Sequence, residues 1–136
     1  MQFIQNNYLL VGLALVSGAM LLWPLVSRFF GGAKQVDTLE AVQKINHADA
    51  LVIDVREPGE VAQGKIARAK AIPLGELKSR AGELEKHKTK PIIMVCRSGS
   101  RSAGACGILS KLGFTEVYNL AGGMIAWQQS NLPVEK

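Results

Sequence analysis

A long apolar stretch without charge at the start of the chain constrains the fold more than any other feature. The first charged side chain is Arg28, and all the other Lys, Arg, Asp and Glu residues lie from Lys34 onward. At about 1.5 Å per helical residue, the stretch from Tyr8 to Phe30 is long enough to cross a hydrocarbon core of about 30 Å. Because 136 residues hold about one modest domain, we expect an apolar leader followed by one small globular domain.

The leader, residues 1–30, is predicted to be a single transmembrane anchor. Its membrane span is expected at about residues 8–27, where Trp23 and Pro24 suit the point at which a helix leaves the lipid. A cleaved signal peptide is the alternative, since residues 17–19 are small enough for a cleavage site. No Lys or Arg precedes the apolar run, and the run continues beyond that site, so an uncleaved anchor is favoured.

Charges that flank the predicted span indicate its orientation. Arg28 and Lys34 lie on its C-terminal side, and positive charge is retained on the cytoplasmic side of membranes. We therefore expect a single-pass protein of the inner (cytoplasmic) membrane, with a linker at residues 31–35 and a cytoplasmic domain at residues 36–136. Two cysteines agree with a reducing compartment, because small exported domains usually contain a larger disulfide framework.

In the domain, apolar strand patterns alternate with helix patterns. Short runs that are apolar on both faces occur at residues 50–54, 92–96 and 117–120, and helix patterns lie between them. This alternation predicts an α/β fold with a parallel sheet covered by helices on both faces. Functional sites in such sheets lie beyond the carboxyl ends of the strands, which is where these three runs end.

A cysteine followed by small and basic residues ends the second of these strands. Residues 96–102 read CRSGSRS, and a helix pattern begins within them. Backbone N–H groups of such a loop can point inward as an anion nest at the positive end of the helix. That field, together with two arginines, is expected to lower the pKa of the Cys96 thiol and to make Cys96 the catalytic nucleophile. The expected substrate-binding residues are Arg97, Ser98, Gly99, Ser100 and Arg101.

Other residues are expected to support this loop without touching substrate. These are Ser102, Asp54 and Arg56, and we expect Asp54 to pair with a loop arginine or with backbone, because an unpaired buried carboxylate is costly. Glu57 and Glu60 are expected to face solvent. Cys106 lies among apolar residues of a predicted helix and is assigned to the core. Cys and His residues show no spacing typical of a metal site, so neither a metal nor a dissociable cofactor is expected.

Three separated segments together resemble the rhodanese-like family of sulfurtransferases over about residues 36–133. Besides the 96–102 loop they are DVREPGE (54–60) followed by GKIARA (64–69) and IP (72–73), and LAGGMIAW (120–127) followed by LP (132–133). The sequence departs from the family pattern at Lys65, where His is usual, and at Arg68, where Gly is usual. Both departures lie outside the cysteine loop.

The resemblance implies a five-stranded parallel sheet and a Cys96 that carries a persulfide. The six-residue loop from Cys96 to Arg101 has the length associated with sulfur transfer, whereas phosphatase-type loops need one more residue to hold phosphate. The expected partners are a small sulfur anion such as thiosulfate, or a persulfide, as donor, and a thiol as acceptor. The membrane is a further expected partner, and no nucleic acid is expected.

Two other functions stay open at this point. A membrane-tethered binding module with vestigial catalysis would use the anchor to hold a partner, such as a membrane protein, near the bilayer. An arsenate reductase or phosphatase would use the same anion site, although the short loop disfavours it.

Overall fold

The computed structural model describes residues 2–30, without the side chains of residues 25–30, and residues 33–136. The chain divides into two compact units, Met1–Gly32 and Ala33–Lys136.

The first unit contains two helices, α1 (Gln2–Asn6) and α2 (Tyr8–Phe30). Within residues 2–30 and 33–136, no helix combines the length and the apolar character that a bilayer span requires. The side chains of α2 are described through residue 24. The remainder of the predicted span, residues 25–27, has its side chains outside the described residues. The predicted transmembrane helix is therefore not supported, and the inner-membrane location and cytoplasmic orientation stay predictions.

The second unit is built from seven short strands and six helices. In chain order the strands are β1 (Lys34–Val36), β2 (Leu51–Asp54), β3 (Lys65–Ile66), β4 (Lys70–Ala71), β5 (Ile92–Val95), β6 (Val117–Leu120) and β7 (Val134–Glu135). The helices are α3 (Thr38–His47), α4 (Pro58–Val61), α5 (Leu74–Arg80), a 3₁₀ helix (Ala81–His87), α6 (Ser100–Lys111) and α7 (Gly123–Gln129).

Five of the strands form one parallel sheet in the order β1-β6-β5-β2-β4. The other two, β3 and β7, form a separate antiparallel pair. The predicted α/β fold with a parallel sheet is confirmed. Because β6, β5 and β2 are neighbours in the sheet, the segments that follow their carboxyl ends meet at one edge.

Successive side chains of the central strands point to opposite faces of the sheet, so the core consists of one apolar cluster on each face. In β5, Ile92 and Met94 contribute to one apolar cluster, whereas Ile93 and Val95 contribute to the other. Cys96 continues the first set and lies in the cluster that also contains residues of α6. Helices therefore cover both faces, and the two-residue period of the strand directs Cys96 toward α6.

Two elements differ from the prediction. Lys34 and Gln35 were assigned to a linker but form β1, whose polar residues give no apolar strand signal. Residues 75–86 have one of the helix patterns between the strand runs, and the pattern predicts a single helix with Leu77 and Leu84 inward. In the structure this segment divides after Arg80 into α5 and the 3₁₀ helix, which contains the poor helix former Gly82. Leu77 and Leu84 are nevertheless both buried, as their spacing predicts.

Candidate functional site

The sulfur of Cys96 lies at the carboxyl end of β5 and accepts hydrogen bonds from the loop that follows. The backbone N–H of Gly99 donates to Cys96 Sγ at 3.0 Å, and Ser102 Oγ lies 3.2 Å from the same sulfur. Gly99 has a φ of 104°, a left-handed conformation that a glycine adopts without strain and that turns the loop over the sulfur. Cys96 is fully buried beneath this loop.

These donors stabilise the thiolate form of Cys96. Burial acts to raise the pKa of the thiol, but the Ser102 hydroxyl and the backbone N–H groups of Ser102, Gly99 and Ser98 outweigh it, so the pKa lies below its ordinary value. The groups that lower the pKa of Cys96 most are therefore neutral hydrogen-bond donors of the loop. The second cysteine is the opposite case, since burial raises the pKa of Cys106 to about 12.

Helix α7 holds the cysteine loop in this orientation. The N–H groups of Met124 and Ile125 donate to the carbonyl oxygens of Cys96 and Arg97, at 2.9 Å and 3.1 Å. With these carbonyls directed toward α7, the following N–H groups of the loop remain free to face the sulfur. A Cβ atom on Gly123 would lie 2.3 Å from the Cys96 carbonyl oxygen, so only glycine permits this approach.

Asp54 pairs with the arginine two residues along the chain and not with an arginine of the 96–102 loop. Its carboxylate accepts hydrogen bonds from Arg56 Nε at 2.9 Å, Arg56 Nη2 at 2.7 Å and the Arg56 backbone N–H at 3.0 Å. Arg56 also donates to the Gly64 carbonyl oxygen at 2.6 Å. Both side chains are buried, and the charge of Arg56 is compensated within the pair.

Arg101 is held by a carboxylate from α4. Its two terminal nitrogens donate to the two Glu60 oxygens at 2.7 Å and 2.9 Å, a bidentate pair. Hydrogen bonding from Arg101, which outweighs the effect of burial, lowers the pKa of Glu60 to about 2. The expectation that Glu60 faces solvent holds in part: its side chain is 33% exposed, but it is paired with a residue 41 positions away, which no local pattern indicates.

A polar cavity of about 260 Å³ lies beside the loop. Its lining includes the side chains of Arg56, Glu60, Gln63, Arg97, Met124 and Gln128. Arg56 and Glu60 are each in an ion pair, whereas the exposed Arg97 forms none within the described part of the chain. The cavity thus presents one uncompensated positive charge, and Arg101 is not part of its wall.

The remaining predicted loop residues differ in what they contribute. Ser98 is exposed and supplies its backbone N–H, as described above, whereas Ser100 is exposed and begins α6. Ser102 is buried and is the only loop serine whose hydroxyl contacts the sulfur in residues 33–136. Within residues 2–30 and 33–136, no group of three or more His, Cys, Asp or Glu side chains is arranged so that it could bind a metal ion.

Sequence reasoning missed Asn119, which lies on β6 beside the cysteine loop. Asn119 Nδ2 donates to the Gly99 carbonyl oxygen at 3.0 Å and to Gln35 Oε1 at 3.1 Å, while Asn119 Oδ1 accepts a hydrogen bond from Ser102. The available signal was a single amide within the otherwise apolar strand pattern VYNL. Because buried polar groups require partners, that amide was a candidate for a contact with the site.

The two departures from the family pattern are accommodated by the C-terminal strand β7. Lys65 Nζ donates to Glu135 at 2.7 Å, and the Arg68 backbone N–H donates to the same carboxylate at 3.1 Å. Arg68 has a φ of 67°, the left-handed region that favours glycine, which explains why glycine is usual there. Both contacts lie outside the cysteine loop.

Comparison with known proteins agrees with this geometry. The family model described as "Rhodanese-like domain" matches residues 37–130. A sulfurtransferase of Allochromatium vinosum is 37% identical over 101 residues, which cover 74% of this chain and 92% of the relative. Thiosulfate sulfurtransferase GlpE of Pseudoalteromonas translucida is 30% identical over 95 residues, covering 70% of this chain and 89% of the relative.

A solved structure supports the same assignment. The crystal structure of a rhodanese-related protein from Thermoplasma volcanium superposes with a TM-score of 0.67 and 34% sequence identity, covering 75% of this chain and 97% of that protein. Residues 37–130, which the family model matches, contain the cysteine loop and α7. The chain therefore belongs to the rhodanese-like family of sulfurtransferases.

Proposed function

We propose that this protein transfers sulfane sulfur from thiosulfate, or from a persulfide, to a thiol acceptor through a persulfide on Cys96. The observation that carries the proposal is the set of N–H and O–H donors around Cys96 Sγ, which favours a thiolate nucleophile. The relative from Pseudoalteromonas translucida, described as a thiosulfate sulfurtransferase, supports thiosulfate as the donor.

In the first half of the reaction, the Cys96 thiolate attacks the outer sulfur of thiosulfate. A bond forms between Cys96 Sγ and that sulfur, while the bond between the two sulfur atoms of thiosulfate breaks, and sulfite leaves with the electron pair. Arg97 is the residue best suited to bind the sulfonate end, because it lines the cavity and no carboxylate in the described part of the chain compensates its charge. Since Cys96 is fully buried, entry of the donor requires side chains of the cavity wall to move.

In the second half, an acceptor thiolate attacks the outer sulfur of the persulfide. The new bond joins the acceptor to the transferred sulfur, and the electron pair of the broken bond returns to Cys96 Sγ. In the persulfide the negative charge lies on the outer sulfur, where backbone N–H groups of the loop stabilise it. The Glu60 and Asp54 pairs hold Arg101 and Arg56 in place and shape the cavity.

Replacement of Cys96 tests the proposal, with Cys106 as the matched control. We expect Cys96→Ser to lose sulfur transfer from thiosulfate. Mass spectrometry of the intact variant after incubation with thiosulfate should show no added sulfur atom. Cys106→Ala should retain both, because this thiol is buried and its pKa is raised to about 12. Transfer by Cys96→Ser at the parent rate would refute the proposed function.

A further inference from the structure

One hydroxyl proton faces two acceptors beside the reactive sulfur. Ser102 Oγ lies 3.2 Å from Cys96 Sγ and is also hydrogen bonded to Asn119 Oδ1. A serine hydroxyl has a single proton, so it can donate to only one of these atoms at a time. Ser102 and Cys96 are fully buried and Asn119 is 3% exposed, so bulk water does not reach these atoms to donate a second hydrogen bond.

The orientation of the Asn119 amide follows from its other two contacts. Its nitrogen faces the Gly99 carbonyl oxygen at 3.0 Å and Gln35 Oε1 at 3.1 Å, and both of these atoms are acceptors. A flipped amide would place its oxygen against two acceptor oxygens and lose both hydrogen bonds. Asn119 Oδ1 is therefore the atom that is directed at Ser102.

We propose that Asn119 is a positioning residue whose side-chain oxygen competes with the Cys96 sulfur for the proton of the Ser102 hydroxyl. A hydrogen bond to a charged acceptor is stronger than one to a neutral acceptor, so Ser102 donates to the sulfur when Cys96 is a thiolate. When the charge leaves Cys96 Sγ, Ser102 donates to Asn119 instead. The hydroxyl group thus follows the charge of the sulfur.

This exchange has a role in each half of the proposed reaction. In the free enzyme, the proton of Ser102 stabilises the nucleophile. In the persulfide, the negative charge lies on the outer sulfur, and Asn119 gives the hydroxyl a partner away from the inner sulfur. The persulfide step depends on the proposed function, whereas the competition for the proton in the free protein does not.

Competition for the Ser102 proton and a purely structural role of Asn119 predict opposite changes in the pKa of Cys96 when Asn119 is replaced. Removal of Asn119 Oδ1 leaves the sulfur as the one acceptor that Ser102 Oγ contacts among the described residues, so the pKa of Cys96 should fall. If Asn119 served only to brace the loop through Gly99, its loss would loosen the N–H donors and the pKa would rise. The charged groups around the site, Arg97, Arg101, Arg56, Asp54 and Glu60, form no hydrogen bond with Ser102 or Asn119 in the described residues.

Titration of the Cys96 thiolate by its ultraviolet absorbance in the full chain tests the inference. We expect Asn119→Leu to lower the pKa by about one unit, the size of one net hydrogen bond, and Ser102→Ala to raise it. In the Ser102→Ala background, Asn119→Leu should no longer lower the pKa. Asn46→Leu on the exposed side of α3 is the control and should leave the titration unchanged. Cys106 does not interfere, because its pKa is about 12.

A rise or no change in Asn119→Leu, with its folding verified by thermal unfolding, would overturn the inference. Should Asn119→Leu fail to fold, Asn119→Asp provides the test. The charged carboxylate oxygens of the variant would compete with Cys96 Sγ for the Ser102 proton more strongly than the amide oxygen does. Asn119→Asp should then raise the pKa of Cys96 more when Ser102 is present than in the Ser102→Ala background, and an equal rise in both would overturn the inference. The titration contains no sulfur donor, so its outcome is separate from that of the Cys96→Ser test of function.

Discussion

The three arginines near Cys96 differ in what their charges do. Arg56 is neutralised by Asp54, and Arg101 by Glu60, each through two or more hydrogen bonds. Arg97 is exposed at the cavity and forms no ion pair in the described residues. At the scale of single residues, Arg97 is therefore the arginine available to bind an anionic donor. Arg56 and Arg101 instead hold neighbouring segments of the chain together through their ion pairs.

Replacement of Arg97 should weaken donor binding more than catalysis. We expect Arg97→Ala to raise the KM for thiosulfate about tenfold or more, because hydrogen bonds to charged groups contribute about 1.5–3 kcal/mol. The value of kcat should change less, since Cys96 and its donors are untouched. Steady-state kinetics measure both, with Arg80→Ala, from exposed ion pairs on α5, as the control. An unchanged KM would assign sulfonate binding to another group.

The Glu60–Arg101 pair should make stability depend on acidic pH. The pKa of Glu60 lies at about 2 in the folded protein, below its ordinary value of 4.5, so the folded state favours the carboxylate. This contribution is present above pH 4.5 and is lost as the pH falls toward 2. We expect the free energy of unfolding, from urea titrations, to fall less over this range in Glu60→Gln than in the parent.

Arg101→Gln provides the matched comparison for that experiment. It removes the same pair from the other side, so it should flatten the pH dependence in the same way, and the double variant should add little. If the unfolding free energy of either single variant depended on pH as steeply as that of the parent, the Glu60–Arg101 pair would not be the cause of the pH dependence.

At the scale of elements, the contact between α7 and the cysteine loop determines the shape of the site. The first N–H groups of α7 hold the carbonyl oxygens of Cys96 and Arg97, which leaves the next N–H groups directed at the sulfur. Gly123 permits the approach because it has no Cβ, and its φ of 53° is itself favourable for glycine. A segment about 27 residues beyond the nucleophile thus orients the loop.

Gly123→Ala should separate α7 from the loop. A Cβ would lie 2.3 Å and 2.6 Å from two loop carbonyl oxygens, so we expect a loss of about 3 kcal/mol in unfolding free energy from overpacking and backbone strain, with loss of transfer activity. Gly104→Ala is the control, because a Cβ there meets no atom within 4 Å and replaces glycine inside α6. It should be neutral or stabilise by up to about 1 kcal/mol. Equal stability of the two variants would contradict this account.

At the scale of the whole molecule, every element of the site belongs to the second unit. Ala33–Lys136 contains the five-stranded sheet, both apolar clusters and, among the described residues, those that donate hydrogen bonds to Cys96 Sγ. Buried apolar surface on both faces of the sheet supplies the main driving force for folding of this unit. The described residues of the candidate site thus all lie in Ala33–Lys136.

A chain of residues 33–136 should fold and transfer sulfur without the first 32 residues. We expect a cooperative thermal transition and a kcat/KM for thiosulfate within about twofold of the full chain, because no described site residue is removed. Ala33 must be retained, since it packs against the core. Comparison of thermal unfolding and steady-state kinetics checks this. An unfolded or inactive product would show that the first unit completes the domain.

The sequence by itself determined the α/β class, the parallel sheet and the position of Cys96 at the end of a central strand. These follow from local periodicity and from a short motif, both of which involve neighbours in the chain. The helix pattern from Ser100 and the strand at residues 117–120 agree with the structure for the same reason. The leader pattern predicted a transmembrane helix that the described residues do not support.

Tertiary structure alone decided which distant side chains meet at Cys96. Glu60, Asn119 and Gly123 contact the loop only because β2, β5 and β6 are adjacent and end at one edge of the sheet. Strand order depends on how the whole core packs, and no local pattern contains it. For the same reason the polar β1 was missed, since its strand conformation comes from hydrogen bonds to β6 and not from the apolar pattern of its own residues.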